Sequence, residues 1–164
     1  MRTIIHDFNK KELSKLNFKD DDKLIKANGC KNNCIGCFSC WIKHPMHCAF
    51  NDEYSDIVSS IAKSDELVII SKCRYGCYDS KVKQVLERCI GYVLPYFTIR
   101  SNAIHHFSRY DNKIKLSCYF YGDISPKDKV CVESLVKANA INLNVSDYTI
   151  KYFENEKELD KCIL

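Results

Sequence analysis

The chain is poor in the residues that interrupt regular structure. Five glycines and three prolines in 164 residues exclude collagen-like and Gly/Pro-rich disordered architectures. It also lacks long apolar runs, and no stretch approaches the roughly 20 residues that a membrane helix needs. Charge of one sign is scarce: 25 Lys and Arg against 21 Asp and Glu leave a net charge of +4, well short of a nucleic-acid footprint. The opening run Met1 to Phe8 is too short for a signal-peptide core, and acid follows at once. These absences lead us to expect a cytoplasmic chain with reduced thiols, meeting neither membrane nor nucleic acid. The length suits a single domain over 1–164 that can bury its own core. Aromatic residues at 12% argue against disorder.

Cysteine is what the chain has in excess. There are 11, an odd number, so a monomer cannot pair them all. In a reducing compartment such a count points to metal or redox chemistry rather than to a disulfide framework. Four of them, Cys34, Cys37, Cys40 and Cys48, are spaced C-x2-C-x2-C-x7-C. Thiolates two residues apart on a tight loop can surround one face of a [4Fe–4S] cluster, and a fourth can close the site. Gly36 lets the loop turn. Zinc is the competing metal, with His44 or His47 beside Cys48 as alternative ligands. A dithiol site within Cys34, Cys37 and Cys40 is a third reading, and plain burial of small apolar side chains a fourth. Burial is the expectation for Cys89 and Cys118. His105-His106 reads as a surface or interface pair.

Along the chain the pattern alternates. Strands are expected at Thr3–Phe8, Lys23–Ala27, Glu66–Ile70, Ile114–Tyr121 and Tyr148–Phe153. Helices are expected at Lys10–Leu16, after an N-cap at Asp52 (with Tyr54, Ile57, Val58 and Ile61 inward), and after a cap at Ser80. Another begins at Ser125-Pro126 with Val130, Val132, Leu135 and Val136 as its apolar side, and a last one spans Glu156–Cys162. Lys72–Asp79 reads as a loop and Tyr92–Asn112 as irregular. Alternation of this kind predicts an α/β fold: a three-layer sandwich around a five-stranded parallel sheet in order 2-1-3-4-5. Ligands of such sheets lie beyond the carboxyl ends of the strands.

Cys34 to Cys48, Asn51-Asp52-Glu53, Ser64 to Ile70, Arg74-Tyr75-Gly76-Cys77-Tyr78, Lys83, Glu87-Arg88 and Leu94-Pro95-Tyr96-Phe97 follow one another in an order that resembles a known group. It is the NAD(P)H-dependent FMN reductase and iron–sulfur flavoprotein branch of the flavodoxin-like superfamily. The resemblance covers about Cys34 to Phe97. It implies a flavodoxin-like fold, FMN at the strand ends, NAD(P)H as electron donor to a second acceptor, and a homodimer or higher homo-oligomer. It places Ser71, Lys72, Cys73, Arg74, Tyr75, Gly76 and Tyr78 beside the flavin ring, with Tyr75 or Tyr78 stacking on it. It also puts Cys34, Cys37, Cys40 and Cys48 where such proteins hold a cluster.

The front of the chain departs from that pattern. Relatives carry a Gly/Ser/Arg-rich phosphate loop after the first strand. Here Ile5-His6-Asp7-Phe8-Asn9-Lys10-Lys11 stands in its place, with no glycine and an anion at Asp7. The alternative expectation is therefore a flavin-free binding module of the same fold, its cysteine loop holding a structural metal or only packing.

Overall fold

A computed structural model describes residues 1–8, 18–29 and 31–161. The helix expected at Lys10–Leu16, Cys30 and Cys162 lie outside the described residues. The strands are β1 (Arg2–His6), β2 (Lys23–Lys26), β3 (Glu66–Arg74), β4 (Cys77–Tyr78), β5 (Val93–Arg100), β6 (Ala103–Ser108), β7 (Lys115–Tyr121) and β8 (Asp147–Phe153). The helices are α1 (Ser39–Ile42), α2 (Ile57–Ala62), α3 (Ser80–Glu87) and α4 (Pro126–Leu143), with 3-10 turns at Ile90–Tyr92 and Glu156–Lys161.

Five strands form a parallel sheet in the order β2-β1-β3-β7-β8, the expected 2-1-3-4-5 arrangement. The central strands are near-continuous apolar runs because both faces are covered. Ile4, Ile5, Leu67, Val68, Ile69, Ile70, Leu116 and Phe120 are all essentially inaccessible to solvent. Burial of each such side chain contributes about 1.5–3 kcal/mol. One face packs on α2, α3 and α4 through Ile57, Val58, Ile61, Val82, Val85, Val132 and Val136. The other carries a smaller cluster, Ile4, Phe8, Val68, Ile70, Tyr119, Tyr121 and Leu159.

Helix α4 follows its signals closely. Ser125 and Asp128 cap each other's backbone with Pro126 in the first turn, a capping box. Val132, Val136 and Ala140 point inward at i, i+4, i+8, while Val130 lies on the exposed side.

Several expectations are corrected. Asp52 does not cap α2, which starts five residues later at Ile57. Its carboxylate instead accepts the Tyr54 N–H and the Arg88 guanidinium. The cap of α3 is Asp79, which accepts the Lys81 N–H, not Ser80. The stretch Lys72–Asp79 is not an open loop. β3 runs on to Arg74 and folds back as β4, pairing Cys73 with Tyr78 and Arg74 with Cys77. Tyr92–Asn112 is not irregular. It forms an antiparallel ribbon, β5–β6, turning at Ser101-Asn102. Both turns are two residues long with positive φ at each position, Tyr75 and Gly76 in one and Ser101 and Asn102 in the other. That is the hairpin turn whose twist matches the strands. Neither carries the Asn-Gly or Asp-Gly signature, which is why they read as loops. The last segment is a 3-10 turn rather than an α-helix.

Candidate functional site

The strand order reverses between β1 and β3, so the crevice beyond their carboxyl ends is the place for a ligand. Three elements meet there. β1 delivers Asp7, β3 delivers Ser71 and Lys72, and β7 delivers Tyr121 and Gly122. The Asp7 carboxylate accepts the Lys72 N–H at 2.8 Å, the Tyr121 hydroxyl at 3.0 Å and the Ser71 hydroxyl at 3.5 Å. The Ser71 hydroxyl in turn accepts the Asp79 N–H at 2.8 Å. Burial holds the Asp7 carboxyl above its ordinary pKa, against the pull of the Lys72 N–H and Tyr121 bonds. Burial, then the charges of Asp7 and Glu156, push the Tyr121 phenol well above its usual range. Beside this network an open cavity of about 280 Å³ is lined by Lys72, Tyr121, Gly122, Glu154, Glu156 and Lys157 among others.

Such a donor set decides what fits. A phosphate needs unspent donors, and the Lys72 N–H at this strand end is already given to Asp7. That backbone donor is thus not free for a phosphate, and the cationic groups lining the cavity are the side chains of Lys72 and Lys157. An uncharged heterocycle, with acceptors and donors along its edge, meets compatible groups in Lys72, Tyr121 and the neighbouring carboxylates.

Of the residues expected beside a flavin, the β3–β4 hairpin brings some outward and takes others inward. Lys72, Arg74 and Tyr75 are exposed, Tyr75 almost completely at 98%. Ser71 and Cys73 are buried. Tyr78 does not reach the crevice. Its ring stacks on Phe120 at 5.1 Å inside the core, and its hydroxyl contacts Cys118 Sγ and takes a bond from Asn139 Nδ2. Of the two tyrosines expected to stack on a flavin, only Tyr75 stands at the surface. Gly76 is required twice over. Its φ is +71°, and a Cβ there would lie 2.4 Å from that of Cys131 and 3.0 Å from the Asp128 carbonyl oxygen. The hairpin tip is pressed against the start of α4.

The cysteine loop occupies a separate place, against the Ile90–Tyr92 turn. Trp41 donates from Nε1 to the Ile90 carbonyl at 2.9 Å, and Gly91 lies close enough to Cys40 that a Cβ would meet it at 3.2 Å. Left-handed residues Gly36 and Phe38 curl the chain between the thiols. Arg88 anchors the loop from below. Its guanidinium is fully buried, bonds Asp52 Oδ2 at 2.6 Å and the Asn32 carbonyl at 3.4 Å, and lies over the rings of Phe50 and Tyr54. Burial disfavours this cation, but the Asp52 carboxylate and the Cys48 sulfur more than offset it, and its pKa is raised. Cys34 and Cys37 are exposed, Cys40 and Cys48 half-buried. Burial, then the proximity of Cys48, Cys34 and Cys37, raises the Cys40 thiol. Among the described residues no three His, Cys, Asp or Glu side chains converge tightly enough to hold a metal ion. Cys89 and Cys118 are buried in the core as expected. Burial pushes the Cys118 thiol up to about 12.

A known architecture matches this arrangement. A solved FMN-dependent NADH-azoreductase from Bacillus anthracis str. Ames Ancestor, in complex with FMN, superposes with a TM-score of 0.53 over 99% of this chain and 89% of its own, at 13% identity. The fold is flavodoxin-like. At that identity the likeness speaks for the fold alone. No protein-family model and no curated protein matches the chain.

Two functional groups escaped the sequence reading. Asp7 looked like a charge in the wrong place and is the hub of the flavodoxin-like crevice. Arg88 stood out only as part of the Glu87-Arg88 pair, yet it is a buried strut 36 residues from its partner Asp52. An arginine directly after an apolar helix face was the available signal.

Proposed function

We propose that this protein is a flavin-dependent oxidoreductase of the flavodoxin-like superfamily, with FMN at the carboxyl ends of β1, β3 and β7. NAD(P)H is its electron donor. The observation that carries this reading is Tyr75. A bulky residue in the left-handed region costs of order 1–3 kcal/mol and persists where function demands it. Here it is displayed at the tip of a hairpin beside the switch point, 98% exposed. The sheet order and the residue pattern from Cys34 to Phe97 support the same reading. When bound, the flavin supplies the hydride-accepting chemistry, and the chain orients it. Lys72 and Tyr121 face its polar edge and Tyr75 its plane. The four loop thiols, Cys34, Cys37, Cys40 and Cys48, are the candidate ligands of a second redox centre in this proposal, an iron–sulfur cluster, on the strength of their spacing alone.

Titration with FMN and with riboflavin, followed by quenching of flavin fluorescence, tests the first part. Both flavins are expected to bind, with FMN favoured by less than about tenfold, or 1.4 kcal/mol, because Asp7 leaves the phosphate few donors. Binding of neither removes the proposal. The Asp7 network favours the second reading in that case, a flavin-free module whose crevice is closed by its own carboxylate. Anaerobic reconstitution with iron and sulfide tests the cluster, and a spectrum without a broad shoulder excludes it.

A further inference from the structure

A second cavity lies away from the crevice, beneath the helices that cover one face of the sheet. It encloses about 240 Å³. Leu67 and Ile69 of β3 form its floor, Leu86 of α3 one wall, and Leu135 and Leu143 of α4 the other. The floor residues are almost inaccessible to solvent, while the three leucines of the walls are only half-buried. Helix lengths account for the gap. α3 has 8 residues and α4 has 18, so α3 cannot cover the whole length of its neighbour. Towards the end of α4 the β5–β6 ribbon takes over, tied to it by the bond between His105 Nδ1 and Asn142 Oδ1 at 3.0 Å. Asn139 donates from Nδ2 to the buried Tyr78 hydroxyl at 3.3 Å, and among the described residues nothing donates to its Oδ1. Asn142 spends its Oδ1 on His105, which leaves its Nδ2. Lys83 and Glu87, one turn apart on α3 and both exposed, stand at the mouth with opposite charges.

We propose that this cavity binds a small neutral aromatic molecule, of one or two fused rings with a single hydrogen-bonding group. Protein interiors are close-packed, and gaps larger than a water are few. An apolar gap of about 150 Å³ stays dry and admits benzene, so this one has room for a second ring. Asparagine is a poor helix former, yet α4 sets both Asn139 and Asn142 against the gap. They supply one acceptor and one donor without a charge. Lys83 and Glu87 cancel at the mouth, so an ionised ligand finds nothing there to offset its desolvation. The sulfurs of Cys77 and Cys89 also border the space, and sulfur makes favourable contacts at the edge of an aromatic ring. A ring therefore fits better than an acyl chain. Apolar walls with a few convergent polar groups are the usual form of a small-molecule site. None of the lining residues belongs to the Asp7 network, so this site is separate from the crevice.

The experiment is a titration of the full chain with indole, followed by NMR chemical shifts and thermal melting. Saturable binding is expected, with a dissociation constant of about 1 mM or below, a raised melting temperature, and shifts gathered at Leu86, Leu135 and Asn139. Leu135→Trp fills the gap from α4. It should weaken indole binding at least about tenfold and hold or raise the melting temperature of the free protein, as cavity filling does. Leu86→Trp fills the gap from the other wall and carries the same expectation, so one variant that fails to fold leaves the test intact. Val130→Lys, on the open side of α4, should bind indole as the wild type does. No saturable binding overturns the proposal. So do shifts gathered at Lys72 and Tyr121 instead, or an affinity that the folded tryptophan variants retain. Flavin is absent from every sample, so this inference and the proposed cofactor stand or fall separately.

Discussion

The crevice and the cysteine loop solve opposite problems, one surrounding an anion and the other a cation. At the crevice a half-buried carboxylate, Asp7, is surrounded by donors that are uncharged: an amide, a phenol and a hydroxyl. At the loop a buried cation, Arg88, meets a carboxylate at 2.6 Å. Burial lifts the Asp7 pKa, so these surroundings disfavour its charge. The Arg88 hydrogen bond, the largest influence on Asp52, holds that carboxyl below its ordinary value, so the Arg88–Asp52 pair stays ionised. One region holds a charge that its surroundings disfavour. The other is locked, and it carries exposed thiols on a fixed base.

Removing the lock should have the largest effect. Arg88→Met leaves Asp52 without its cation and frees the carbonyl groups of Asn32 and Phe50. Breaking one side of such a pair costs about 3–5 kcal/mol. Urea denaturation should show that loss. Thiol alkylation should show Cys40 and Cys48 reacting at rates close to those of the exposed Cys34 and Cys37. An unchanged midpoint, with Cys40 still protected, would mean that Trp41 and the Ile90–Tyr92 turn hold the loop without Arg88.

The residue before Asp7 is a second group whose charge burial disfavours. His6 is 1% exposed, its Nδ1 has no hydrogen-bond partner, and it stacks on Phe8. Burial, followed by the charge of Lys26, lowers its pKa from 6.5 to about 4. A group with a depressed folded pKa binds more protons when unfolded across that window. Stability should therefore be full above pH 6.5 and fall as the pH drops towards 4, by about 3 kcal/mol from this residue alone. Asp7 works in the opposite sense. Its raised pKa means that protonation on acidification relieves a buried charge, so some of the loss is returned at the lower end. Urea midpoints measured from neutral pH downward should slope for the wild type, and His6→Leu should remove most of that slope. An equal slope in the variant would assign the acid sensitivity elsewhere.

How much of this was legible in the sequence follows the same division. The parallel sheet was readable because Glu66 to Ile70 and Ile114 to Tyr121 are continuous apolar runs flanked by helical periodicity. That patterning is local and survives any context. The C-x2-C-x2-C spacing marked the loop equally well. The long-range partners were not readable. Nothing near Asp7 announces Tyr121, 114 residues away, and nothing near Arg88 announces Asp52. Asp52 misled because an Asp before an apolar helix is a good cap on local rules, and a buried guanidinium outbid the helix end. The two hairpins were missed for a different reason. Their turns are Tyr-Gly and Ser-Asn, so Tyr75 and Ser101, which disfavour positive φ, stand at the first position where Asn or Asp is the usual signal.

That last point yields the smallest prediction and the one that best separates fold from function. Tyr75 sits at φ 53° ahead of Gly76 at 71°, in a turn that prefers Asn-Gly. Asparagine tolerates the left-handed region, and the Tyr75 side chain is 98% exposed and buries almost nothing. Tyr75→Asn should therefore stabilise the protein, by up to about 1 kcal/mol, as relief of local strain usually does. If Tyr75 is held there to lie against a flavin ring, the same variant should lose flavin affinity by roughly 1 kcal/mol or more, the worth of an aromatic stack. Thermal melting and flavin titration on one sample read both quantities. A gain in both would leave the strained tyrosine without a purpose at the crevice. A gain in one against a loss in the other is the signature expected of a site where strain is retained for binding.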